Sequence, residues 1–179
     1  MRKLFVAAVA LLLLAQPAAA KPVAIALPDK SDTVIVPDGS PLKFSKFGDD
    51  GAVFTGKLTL SGTYYYGDGE YNDGPTVDLA LHFVPDAASA ARLPSLKTRG
   101  PAQAIFLTNG DLFAKAVLTV AQFAALQHKG AAYATGQASI VVDTVQAGVV
   151  CDGASFSARF VSLAKPAAAH TAPSPGFGC

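Results

Sequence analysis

Apolar and polar positions alternate most cleanly between Val53 and Tyr66. Phe54, Leu58, Leu60, Tyr64 and Tyr66 share one parity, and Thr55, Lys57, Thr59, Ser61 and Thr63 share the other. A period of two predicts a strand with one buried and one wet face. Gly56 and Gly62 fall on the apolar parity, where glycine marks a sharp bend or a close backbone approach. A second strand is predicted over Thr76–Val84, with Val77, Leu79, Leu81 and Phe83 facing one way and Asp78, Ala80 and His82 the other. Asp86 is placed to cap a short helix over Ala87–Ala91, which Pro94 ends. Ala102–Leu107 and Leu112–Thr119 flank Thr108-Asn109-Gly110-Asp111. Asn-Gly between apolar runs predicts a hairpin, because a type I′ turn needs positive φ at both central residues.

Thr119 then opens a helix. Its hydroxyl is positioned for the backbone of Gln122, whose side chain reaches back, which makes a capping box. Val120, Phe123 and Leu126 are the expected buried stripe, and Gly130 suits the position just past the end. Two closing strands follow. In Gly136–Val145, Ala138, Ile140 and Val142 face inward; in Ser155–Leu163, Phe156, Ala158 and Phe160 do.

The flanks read differently. Lys21–Asp50 holds six Pro and Gly residues around the β-branched run Thr33–Val36, which predicts an extended arm with one edge strand, anchored through Phe44 and Phe47. From Ala164 the chain is Ala/Pro-rich, as in an unstructured tail. Arg2 and Lys3 precede twelve apolar residues, Leu4–Ala15, and Ala18-Ala19-Ala20 supplies small residues at a cleavage position. That is the pattern of a secretory signal peptide, and the run is too short for a membrane span. The expected organisation is therefore residues 1–20 signal peptide, 21–51 N-terminal arm, 52–163 β-barrel domain and 164–179 flexible tail.

The order of elements predicts a mainly β fold: a small Greek-key barrel of OB type with one capped helix and one short helix, or alternatively an open β-sandwich. The stretch Gly130–Leu163, a Gly-led strand, a turn and a strand of alternating aromatics, is similar to the closing strands of small exported bacterial OB-like β-barrel domains of unknown function. This resemblance covers about a fifth of the chain. It implies a fold and no activity.

Composition narrows the function classes. The chain has 179 residues, of which 51% are hydrophobic and 15% charged, enough for one domain with a real core and too apolar for disorder. Loss of residues 1–20 removes Arg2 and Lys3 from the 14 Lys and Arg, leaving 12 against 13 Asp and Glu, a net charge of −1. Nucleic acid is excluded on that basis, since its binding is dominated by cationic contacts to phosphate. Export, to a periplasm or outside the cell, permits a disulfide, and the two cysteines Cys151 and Cys179 are expected to bridge. A bond to a partner, a redox role and two thiols remain as alternatives. The lack of a C-x-x-C argues against the redox role.

The most site-like stretch is Tyr64-Tyr65-Tyr66-Gly67-Asp68-Gly69-Glu70-Tyr71-Asn72-Asp73-Gly74, with tyrosines around an acidic loop between two strands. Tyrosine offers a flat amphipathic surface and a hydroxyl, suited to sugars, peptides or aromatic ligands. The candidate ligand-binding residues are Tyr65, Asp68, Glu70, Tyr71, Asn72 and Asp73. The same loop fails as an EF-hand, because Asp73 stands where glycine is needed and Leu79 where the bidentate Glu is needed, which leaves a looser Ca²⁺ site through Asp68, Glu70, Asn72 and Asp73 as a minor alternative. Asp78 and His82 lie about 13 Å apart along a strand, too far to share a metal or proton. His128 and His170 stand elsewhere in the chain. The mature chain has no G-x-S-x-G, Walker loop or H-E-x-x-H. No catalytic residue, cofactor or metal is assigned.

The first expectation is thus an exported non-catalytic binding or interaction module for a small molecule, glycan or protein. The alternatives are an envelope hydrolase using loop carboxylates and a structural envelope protein presenting Cys179 to a partner.

Overall fold

The computed structural model describes residues 21–29, 31–69, 77–128, 132–165, 167–173 and 176. Three short strands come first: β1 (Val23–Ala26), β2 (Thr33–Val36) and β3 (Lys43–Gly48). The long strand β4 (Gly51–Asp68) leads to β5 (Leu79–Pro85), the helix α1 (Ala87–Ala90) and the short strands β6 (Ser95–Leu96), β7 (Gly100–Pro101) and β8 (Ile105–Leu107). Two helices, α2 (Gly110–Val117) and α3 (Val120–Ala125), precede β9 (Tyr133–Val150), β10 (Gly153–Lys165) and β11 (His170–Ala172).

The molecule is mainly β, with two sheets. The smaller sheet has the order β1-β2-β6-β7. The larger runs β11-β9-β10-β8-β5-β4-β3, and β4 pairs with β9 as well, so this sheet is partly closed into a ring. The ring strands are β4, β5, β8, β10 and β9. Within the ring β8 and β10 are parallel, and the other neighbours are antiparallel. β4 can serve three partners because it is 18 residues long. Its first half pairs with β3, its second half with β5, and its other edge follows β9.

The predicted parity of β4 holds: Phe54, Leu58, Leu60, Tyr64 and Tyr66 are buried, while Thr55, Lys57 and Thr59 are exposed. Gly56 and Gly62 are both required. Gly56 has φ +142° at a break in the β4–β9 register, and a Cβ there would strike the Pro41 carbonyl. A Cβ on Gly62 would strike the Val84 carbonyl. Helix α2 contributes the fully buried Phe113, edge-on to Tyr64 at 4.8 Å and to Phe160 at 5.5 Å.

Several sequence expectations are corrected. Thr108–Asp111 is not a hairpin turn: β8 ends at Leu107 and α2 begins at Gly110. The Asn109 side chain instead mimics a strand partner, accepting from the Phe160 N–H and donating to the Phe160 carbonyl, both at 2.8 Å. Gly110 sits where a Cβ would crowd Leu81. The Asp86 cap and the Thr119/Gln122 capping box form as expected. The stripe on α3 is narrower than expected, because Val120 is 89% exposed and only Leu126 is fully buried, with Phe123 stacked on Tyr66. Gly130 lies outside the described residues. The arm carries three strands where one was expected, and Phe44 and Phe47 are each 43% exposed on β3. Part of the expected unstructured tail is ordered: β10 runs to Lys165, and β11 pairs with Tyr133–Thr135. The Tyr64 hydroxyl, which donates to the Ala168 carbonyl at 2.8 Å, fixes the tail between them.

Candidate functional site

The sheet register builds a row of side chains across the outside of the ring. Tyr65 on β4 is opposite His82 on β5, and His82 is opposite Phe106 on β8. Directly opposed residues share a face. Because Tyr64, Phe83 and Ile105 fill the interior, their chain neighbours Tyr65, His82 and Phe106 point outward. The row continues to Thr135 on β9 at one end and Ser157 on β10 at the other. Tyr65 and His82 are half-buried, and Phe106 is 43% exposed. The His82 and Phe106 rings lie 5.9 Å apart, inclined at 58°. Two interstrand steps make the aromatic row about 10 Å long.

The flanks of the row differ. On one side stand Thr63 and Val84, with Gln137 donating to the Thr63 hydroxyl at 2.7 Å. On the other side are Gly67 and Ala80, a step that the Tyr133 ring fills over Gly67. The β4–β5 loop springs from this step. Its neck is closed by the Gly69 N–H on the Asp78 carbonyl at 2.7 Å and the Asp78 N–H on the Asp68 carboxylate at 3.3 Å. The buried Tyr133 covers Gly67 on the same outward face and donates its hydroxyl to the Asp68 carbonyl.

Neither β5 nor β8 carries a lysine or arginine. Arg159, an outward-facing cation on β10, is committed to Asp143 through two hydrogen bonds of 2.8 and 2.6 Å. That pairing holds the Asp143 carboxyl below its ordinary range. Beneath the row, burial pushes the Tyr64 phenol up to about 12, so it stays protonated and keeps its bond to the tail.

Of the residues named from the sequence, Tyr65 stands in the row and Asp68 supports the neck of the loop. Glu70, Tyr71, Asn72 and Asp73 lie outside the described residues. Cys151 is exposed in the two-residue β9–β10 turn, with φ of 48° there and 59° at Asp152, and Cys179 lies outside the described residues. His82 and Phe106 complete the site. Alternation with Ile105 and Leu107 marks Phe106 as outward-facing, but a hairpin reading of Asn109-Gly110 treats that run as one apolar block. A separate cavity of about 240 Å³ lies among α3, β9 and β11, lined by Gln122, Leu126, Ala134, Ala169, His170 and Thr171 among others, with no carboxylate in its wall. Among the described residues, no group of three or more His, Cys, Asp or Glu side chains could hold a metal ion, and no helix is long and apolar enough to cross a membrane.

Comparison of the chain with protein-family models, with curated proteins and with solved structures returns no match.

Proposed function

We propose that the chain is an exported OB-type barrel that binds a neutral glycan on the outer face of β4, β5 and β8. The observation that carries this reading is the aromatic row Tyr65–His82–Phe106, set in register across three neighbouring strands. Aromatic faces pack against the apolar C–H faces of sugars, and the row lies beside the hydroxyl and amide groups of Thr63 and Gln137. The OB assignment draws support from strand order. β9 returns past α2 and α3 to lie beside β4, so β9-β4-β5-β8 has the spatial order 4-1-2-3 of a Greek key, and β10 completes a five-stranded ring. In OB barrels the second and third strands and the first hairpin loop form the usual ligand face, which here corresponds to β5, β8 and the 69–78 loop. Export draws support from the basic, apolar and small-residue segments of residues 1–20. Neutrality of the ligand follows from the charges: a cationic or strongly anionic polymer would need an acidic or basic stripe, and the row has neither.

The test is a glycan array with the purified protein and its Tyr65→Ala and Phe106→Ala variants. Both substitutions are expected to weaken the leading hit about tenfold, the equivalent of one good stacking contact, while the melting temperature holds. Binding that survives both changes, or an array without hits, overturns the proposal.

A further inference from the structure

Strand β3 forms an edge of the larger sheet, and among the described residues it pairs only with β4. All six of its residues are exposed. An exposed edge leaves a row of backbone donors and acceptors ready to pair with another strand. β3 also breaks the usual alternation. The register shifts between Phe44 and Lys46, so that Phe44 lies opposite Phe54 and Phe47 opposite Ala52. A bulge at Ser45 therefore places two phenylalanines, three apart in sequence, on the same face of one strand. Their rings are 5.1 Å apart, and Phe44 also meets the buried Phe54 at 6.0 Å. The pair extends the interior apolar surface past the last strand, where each ring stays 43% exposed.

We propose that this edge is a docking surface for a second copy of the chain, joined by antiparallel β3–β3 pairing about a two-fold axis between Ser45 and Lys46. That register is self-complementary. Phe44 of each copy falls opposite Phe47 of the other, which turns two half-exposed pairs into one cluster of four rings. Lys43 falls opposite Gly48, diagonal to Asp50 on the turn that follows. Diagonal neighbours are about 7 Å apart, within reach of a lysine. Lys43, Lys46, Asp49 and Asp50 make no ion pair among the described residues, so both charges are available across the two-fold. Basic residues at one end of the edge and acidic residues at the other are what an antiparallel isologous contact needs. The lysines point away from the phenylalanine face, so the aromatic cluster closes without burying them.

The test is sedimentation equilibrium of the purified protein under reducing conditions, which removes any cysteine-linked species. A concentration-dependent dimer is expected. The Phe44→Ser/Phe47→Ser variant should dissociate at least tenfold more readily, with an unchanged circular dichroism spectrum. Lys43→Glu should weaken the dimer, as should Asp49→Lys/Asp50→Lys, and mixing these two variants should restore association as a heterodimer. The mixing experiment stands even if the phenylalanine variant folds poorly. A monomer at every concentration, a dimer indifferent to both phenylalanines, or charge variants that do not complement one another overturns the proposal.

Discussion

Asp32 shows how one residue can hold a sheet together. Its side chain is completely buried, yet its carboxyl is held at about 2. Burial alone would raise it. Hydrogen bonds from Thr98, the Thr33 and Thr98 backbone and Arg99 outweigh that and favour the charged form. The network ties β2 to the turn between β6 and β7, and Arg99 continues to the Asp152 carbonyl in the β9–β10 turn. A carboxyl whose folded value lies below its ordinary 3.8 adds stability above that value and loses it as pH falls toward 2. Its contribution at neutral pH is about 2 kcal/mol. Denaturant melts between pH 5 and pH 2 should therefore show a steep loss of stability. Asp32→Asn should be less stable at pH 7 and show a shallower loss over the same interval. The core of β4 provides a second residue-scale test, because Leu58 is buried and Thr59 exposed. Leu58→Ala should cost about 2–5 kcal/mol in a urea melt, and Thr59→Ala under about 0.5 kcal/mol.

At the scale of elements, the legible features are those whose cause is local. The β4 alternation, the Asp86 cap and the Thr119/Gln122 box each depend on residues within a few positions of one another, and each forms as the sequence predicts. Asn109-Gly110 also carries a strong local signal, but here a tertiary contact overrides it. The Asn109 amide finds both backbone groups of Phe160, 51 residues away, and the helix after it buries Phe113 and Ala114. The two readings make opposite predictions for Asn109→Gly. Glycine is welcome in a type I′ turn, so a hairpin would tolerate it. Loss of two hydrogen bonds to a half-buried strand should instead cost about 2 kcal/mol, measured as a shift in the denaturation midpoint. Asn109→Asp should also destabilise, since a carboxylate has no donor for the Phe160 carbonyl.

At the scale of the whole molecule, legibility falls with the sequence distance that a contact spans. Tyr65 stands out from composition alone, but its neighbours in the site come from segments 17 and 41 residues later, set by the register of three strands. The tail is the longest-range case. Ala/Pro-rich composition predicts no structure, yet Tyr64 and Tyr133–Thr135 order residues 168–172 against the barrel. That order bears directly on the two cysteines. β11 runs antiparallel to β9, so the chain passes Thr135 and then Tyr133, away from the Cys151 turn at the other end of β9. Tyr133 and Val150 are separated by an 18-residue strand, roughly 55 Å of contour. Only seven residues follow Ala172 as far as Cys179, and they reach at most about 25 Å. A disulfide needs its two Cα atoms within about 7 Å. The Cys151–Cys179 bridge and the β11 pairing should therefore exclude one another. Hydrogen-exchange mass spectrometry on the oxidised and reduced monomers checks this. The monomer two hydrogens lighter than the reduced chain should exchange quickly over His170–Ala172, where the reduced monomer is protected. Tyr64→Phe, which removes the hydroxyl bond to Ala168, should free the tail and raise the yield of bridged monomer on mild oxidation. Equal protection of β11 in both redox forms would show that the tail closes the bridge without leaving the sheet.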